Sequence, residues 1–593
     1  MSEPRFARAS VGWFYVCFAL LPITYVRGLG LGYPEPKRLL LILLCLGCLA
    51  SLGRRFLGSP GPGQPSPPLR LNAYVLGTLA LTLIRFTSLF PLTNAGYQLD
   101  SISASICMLI IGLYIANTEL NVELLGKMLL APVMVVLAGV VLKILFGISY
   151  FPQPYAIFVN LKNAVAVFLV AAVPFVLVAF PRFWRDPAGG RQAFLHGVAV
   201  FALQCLIFWA ALCYRTRSSW WMIAVYVVAL AVIWARTRQP AAARLLLVTV
   251  LALVMAVLML KLLPTVMVWR SQTPYLDSLM TMASLEKSSG RKDIWQVALH
   301  MIRSHPARGV GTGGFPSQWV AYIAGSGVDP RIFALQTRSS PAFNDYLHMT
   351  AELGVLPGLL FAWLGLGLPV LYLHRQLRTP ASVALPELLV GLCSLALGLD
   401  ALFDFPFLRP EAYLLHAVSL SFLARAGGSA APRLRLPRRP AILCASLLAA
   451  FLALNFTLMG VGLWAKKSWL ESGRMRALEL ALSFWPWDVG WSHLQVESML
   501  AAGRLDLAEQ YARTFARAWP HDAEAALTRA RLAEAKQDFR GALLFYQRAI
   551  VKVPGGRCHE PGYTAYLAMQ ARPQVQGDPA LRLSARDLAA CAR

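Results

Sequence analysis

"VGWFYVCFALLPITYV", residues 11–26, runs for sixteen residues without a charge. As a helix rising 1.5 Å per residue it covers about 24 Å, most of the roughly 30 Å hydrocarbon layer of a bilayer. Only Arg5 and Arg8 precede it as a basic flank, and no small-residue cleavage site follows. It therefore reads as a retained membrane helix rather than a signal peptide. Further apolar runs centre near residues 46, 82, 108, 135, 170, 204, 228, 256, 362, 392, 417 and 452. They predict an all-α polytopic membrane bundle of about 13 spans, the second, fourth and twelfth being short.

Composition agrees with that reading. Of 593 residues 57% are hydrophobic and only 14% charged, with mean hydropathy +0.56, whereas a soluble domain carries about 25% charged residues. The net charge of +26 would suggest nucleic acid in a soluble chain. Here the bases gather in the short gaps between apolar runs, so membrane lipid is the expected neighbour and no nucleic-acid partner is expected. With a cytoplasmic N-terminus, the inner gaps hold Arg54, Arg55 and Arg70, then Arg182, Arg185 and Arg191, then Arg236, Arg238 and Arg244. Arg375 and Arg378, and the Arg425 to Arg439 group, follow the same alternation, while "FPLTNAGYQLD" and "ISYFPQP" on the other side carry no base.

An odd span count leaves two large polar pieces outside: the loop of residues 269–345 within a membrane domain of 1–465, and a tail of 466–593. In a bacterium with two membranes both are periplasmic, and the protein is a multi-pass inner-membrane one. In the tail Pro486, Pro520 and Pro554 stand 34 residues apart, with Ala481, Phe515 and Ala549 five residues before each. "AEAALTRARLAEAKQDFRGALLFYQRAIVKVP" fits the tetratricopeptide pattern of small residues at helix crossings and a closing Pro. Such repeats form a binding surface, so the tail implies a protein partner. Eight of the ten cysteines lie in or beside spans as small apolar residues. Cys558 and Cys591 lie in the tail, where an oxidising compartment allows them to pair or stay free.

No metal motif or nucleotide loop is present, and no cofactor is expected. "GVGTGG", residues 309–314, lacks the Lys-Ser/Thr of a phosphate loop and reads as a bend. Arg215 and Arg217 in "CYRTRSSWW" stand on the outer side, against the charge trend. Their forked donors suit phosphate oxygens; snorkelling from a helix end is the plainer explanation. "SSGRKDIWQVALHMI", residues 288–302, predicts a helix capped by Ser288 or Ser289, with Ile294, Ala298 and Ile302 on one face. Arg291 sits at its N-terminus, where backbone N–H groups favour an anion.

These segments together carry a resemblance. "TRSSW", then "SGRKDIWQVALHMIRSHPARGVGTGGF", then "NDYLHMTAELGVLPG", with "FVNLKNAVAVFLV" upstream, resembles the bacterial O-antigen ligase and polymerase superfamily, which includes pilin-type O-oligosaccharyltransferases. The likeness covers about residues 150–425. It implies a glycan donor on undecaprenyl diphosphate and a glycan, lipid or pilin-like protein acceptor. It also implies metal-independent, inverting transfer, with the diphosphate held by Arg217 and Arg291. The family usually has a histidine base before the Asn of "NDYL", and here that position is Phe343. Asp345 and His348 are the remaining candidates for the catalytic base, while Glu352 is expected to pair within the bundle. Three readings stay open: a transferase driven by its arginines, a polymerase with a different site, or a catalytically silent scaffold for glycan export or pilus assembly. A transporter fits less well, since no matched pair of broken helices appears.

Overall fold

The computed structural model describes residues 5–24, 35–57, 68–89, 95–147, 162–185, 190–263, 291–323, 325–328, 341–378, 384–426, 433–434, 438–484, 489–520, 522–551 and 560–573. Nearly all of these are helical. The exception is a two-residue antiparallel pairing of Leu69 and Arg70 with Leu434 and Arg433. Eight described helices are long and apolar enough to cross a membrane, and three shorter apolar ones accompany them. The runs expected to be short at the second and fourth positions are full helices of 23 residues, Glu35–Leu57 and Ala95–Asn117. The twelfth is the 17-residue helix Pro410–Ala426.

Local chemistry sets the helix ends. Asn121 caps Val122–Phe146 by accepting the N–H groups of Glu123 and Leu124, and Gly147 closes that helix in the left-handed conformation. Side chains on the outside of the long helices are apolar as well. Val228, Leu247, Leu443 and Leu447 are each about 60% exposed, an arrangement that is stable only with hydrocarbon around it. The chain is a multi-pass membrane protein.

The chain divides into two compact units. One comprises residues 1–82, 103–284 and 360–457 and contains most of the membrane helices. Arg191–Cys213 packs along Pro240–Leu262, and Leu385–Asp400 packs against both Pro410–Ala426 and Arg217–Thr237. Within this unit lies a buried ionic network. Lys37 Nζ meets Glu411 Oε2 at 3.1 Å, and Arg409 meets Asp404 at 3.0 Å while its guanidinium lies over the Phe405 ring. Charges inside an apolar bundle require partners, and each of these has one.

The other unit comprises residues 83–102, 285–359 and 458–593. Arg291–Ser304, Phe315–Ile323 and Asp345–Leu353 share a core of Val297, Ala298, Met301, Phe315, Trp319 and Ala351. The expected face of Ile294 and Ala298 is buried there, with Ile302 packed at its edge. Ser288, Ser289, Cys558, Cys591, Pro486 and Pro554 lie outside the described residues. C-terminally, Leu505–Ala518, Ala523–Ala535 and Phe539–Val551 pack in sequence, and Ala508 and Ala542, 34 positions apart, are both fully buried.

Candidate functional site

The segment "FNDYLHMTAEL" builds a helix entry that hides its polar groups. Phe343 takes a left-handed backbone, φ 51°, which costs a bulky residue energy and turns the chain sharply into the helix. Asn344 then caps it, its side chain accepting the Leu347 N–H at 3.0 Å. One turn carries Asp345 and His348 to the interior side, 2% and 5% exposed.

His348 Nε2 faces Glu352 Oε1 at 3.3 Å, one helical turn on. Glu352 also accepts the Phe315 N–H at 3.2 Å. Burial alone would raise its carboxyl pKa. The charge and hydrogen bond of His348, the Gly313 backbone and the Arg85 charge outweigh that, so the carboxyl stays below its ordinary value of 4.5. A carboxylate facing Nε2 fixes the proton there and leaves Nδ1 as an acceptor. Among the described residues Nδ1 has no partner. The Phe315 ring lies against the imidazole, centroids 4.8 Å apart. One imidazole nitrogen is thus anchored by a carboxylate, and the other is buried without a partner among the described residues.

The glycine-rich bend supports that geometry. Val310 and Gly311 donate their N–H groups to the carbonyls of Ala351 and Glu352, both at 2.9 Å, and Val355 donates to Pro306 at 2.8 Å. Gly309, at φ +63°, lies so close that a Cβ would stand 2.3 Å from the Glu352 carbonyl. "GVGTGG" thus terminates the helix that carries His348 and Glu352, satisfying carbonyls a helix end leaves open. Beneath it, Thr312 Oγ1 and Ser88 Oγ meet at 2.6 Å, and Arg85 contacts Met349 Sδ at 3.0 Å and the Ser101 carbonyl.

Arg291 is the first residue of its helix, and its guanidinium lies over the Phe343 ring, 5.1 Å from the centroid. Trp295, one turn on, donates Nε1–H to the Ala342 carbonyl at 2.9 Å. Two ties therefore join the Arg291 helix to the entry of the His348 helix. Arg291, Asp345, His348 and Glu352 all belong to this unit.

Arg215 and Arg217 belong to the membrane-helix unit. Arg215 holds a left-handed turn, φ 50°, between two long helices, and Arg217 opens the second of them. Both are half-buried. Arg217 makes no ion pair or hydrogen bond among the described residues, leaving its donors available to an anion. Between them Thr216 Oγ1 reaches Asn163 Oδ1 at 3.4 Å, joining the "TRSSW" turn to the "NLKNAVAV" helix. Asn160 lies outside the described residues.

Sequence reasoning missed the capping role of Asn344, the contact of Phe315 with both His348 and Glu352, and Arg85. The Asn-Asp step before an apolar run was a visible cap signal. Arg85 gave none, being one base within an apolar stretch.

Residues 205–362, which contain Arg215, Arg217, Arg291, Phe343, Asp345, His348 and Glu352, match the O-antigen ligase family. The family is glycosyltransferase-like, and it implies a lipid-linked glycan and an acceptor. No curated protein matches the chain.

Proposed function

We propose that this protein moves a glycan from undecaprenyl diphosphate onto an acceptor hydroxyl at the outer face of the bacterial inner membrane. The observation that carries the reading is the His348–Glu352 pair with its buried, unpartnered Nδ1, inside the segment that matches the family. Arg217 and Arg291, assisted by Arg215, hold the donor diphosphate. The acceptor oxygen attacks the anomeric carbon, the bond from that carbon to the diphosphate oxygen breaks with inversion, and the electron pair leaves on the diphosphate. Guanidinium donors set in place beforehand stabilise that growing charge without a metal. The acceptor proton passes to His348 Nδ1, and Glu352 steadies the imidazolium. Asp345, buried in the first turn of the same helix, is the alternative proton acceptor.

The N-terminus is cytoplasmic in this reading. Residues 1–465 form the membrane transferase domain, the 269–345 loop is periplasmic, and residues 466–593 form a periplasmic tetratricopeptide-like module that contacts a protein, either a pilin-like acceptor or a glycan-assembly machine.

Phe343 supports a second reading, a catalytically silent scaffold of glycan export or pilus assembly, because it occupies the position where the family usually has its base. Glycan profiles separate the two. In a deletion strain complemented with Arg217→Ala or Arg291→Ala, one product among lipopolysaccharide, exopolysaccharide and glycosylated pilin disappears while the protein remains membrane-inserted. Normal transfer by both variants would overturn the donor-binding assignment.

A further inference from the structure

Several described arginines and lysines of the C-terminal helices pair with carboxylates. Arg504 meets Glu479 at 2.7 Å, Arg531 meets Glu497 at 2.6 Å and Arg572 meets Glu534 at 2.9 Å, and Glu509 takes both Arg513 and Lys536. What distinguishes Arg529 and Arg548 is a shared aromatic ring. Neither has a carboxylate partner among the described residues, and both lie on the same ring, 4.2 and 5.5 Å from the Phe545 centroid.

The sequence explains why they converge. Ala526, Ala530, Ala533 and Ala542 let Ala523–Ala535 and Phe539–Val551 approach closely, which brings Arg529 of one helix to the Phe545 face of the other. Partial burial and the charges of Arg548 and Arg513 lower the Arg529 guanidinium pKa, and the Glu509 charge opposes them only in part. The ring's negative face compensates part of that crowding. An anion would compensate the rest. Leu544, 38% exposed, lies one helical turn from Arg548 and adds an apolar neighbour.

We propose that Arg529, Phe545 and Arg548 form a docking site for an acidic peptide segment of a partner protein. A carboxylate of that segment is held between the two guanidinium groups, and a neighbouring apolar side chain lies on Leu544. The aliphatic contact favours a peptide over an anionic glycan, whose hydroxyls would gain nothing from it. The proposal deepens the protein-contacting role given to the tail and is independent of the transferase chemistry, so either can fail alone.

The test uses the full chain in detergent and a fluorescein-labelled hexapeptide of four Glu, one Leu and one Phe, read by anisotropy. Binding is expected, and it weakens with salt. Arg529→Gln with Arg548→Gln should weaken it about 10-fold or more, as loss of charge-assisted bonds predicts, while Arg474→Gln leaves it unchanged. Leu544→Glu, which keeps both arginines, should weaken it as well. Equal binding by the double variant, equal binding of the peptide with Gln replacing Glu, or no binding at all would overturn the proposal. So would arginine-dependent binding of polygalacturonate without binding of the peptide, which would identify a glycan site.

Discussion

His348 and Glu352 face each other at 3.3 Å, one turn apart on a helix whose end is held by the backbone of residues 309–311. The carboxylate fixes one imidazole nitrogen and leaves the other without a partner among the described residues. On the proposed mechanism, removing His348 should therefore cost rate more than binding. His348→Ala is expected to lower kcat by about 10² to 10⁴, the usual worth of general-base help, with KM for the lipid-linked donor little changed. A KM effect alone would assign His348 to binding.

Glu352 gives a pH-dependent contribution to stability whose sign is fixed. Its folded pKa lies below the ordinary 4.5, so its stabilisation is complete above that value and is lost as pH falls through the lowered one. The melting temperature of wild type should exceed that of Glu352→Gln by a constant margin at pH 5 to 6, and the margin should shrink below pH 4. A margin that grows on acidification would contradict the depressed pKa.

Phe343 holds Arg291 by its ring. Phe343→Leu should loosen that guanidinium and raise KM for the donor several-fold, since a cation–π contact is worth about 0.5 to 2 kcal/mol. Phe343→Tyr should behave as wild type. Kinetics with extracted lipid-linked glycan measure both.

Gly309 has no room for a side chain and adopts a backbone that L residues avoid. Gly309→Ala should destabilise by at least about 1 to 3 kcal/mol, the cost of a strained backbone, before the clash with Glu352 is added. Thermal unfolding in detergent gives the value. A change below 0.5 kcal/mol would show that the bend does not support the helix.

The buried pair Lys37–Glu411 predicts non-additivity. Lys37→Met should cost about 3 to 5 kcal/mol by leaving a lone buried carboxylate, whereas Lys37→Met with Glu411→Leu should recover most of it. Additive losses in the unfolding midpoint would mean that the two groups act independently.

Apolar run length made the helical bundle legible, and the break in the positive-inside trend pointed to Arg215 and Arg217. The helix at Arg291 and its buried face followed from periodicity. What periodicity could not supply was contact across the chain. Nothing local in "GVGTGG" says that its N–H groups meet the carbonyls of residues 351 and 352, some forty positions on. That Glu352 needs a partner follows from its apolar setting, but not that the partner is His348, one turn back on its own helix. The sequence "DALFDFPFLRPE" at 400–411 held a visible density of charge in an apolar region. Its pairing of Glu411 with Lys37 joins residues 374 apart, beyond any local rule.

The most direct measurement starts from membranes of a deletion strain, in which the lipid-linked glycan should accumulate. Adding the purified full chain with acceptor membranes, in EDTA, should consume that glycan and release undecaprenyl diphosphate. His348→Ala should do so slowly, and Arg291→Ala not at all. If the donor does not accumulate in the deletion strain and the wild-type protein releases no undecaprenyl diphosphate, the transferase account is wrong.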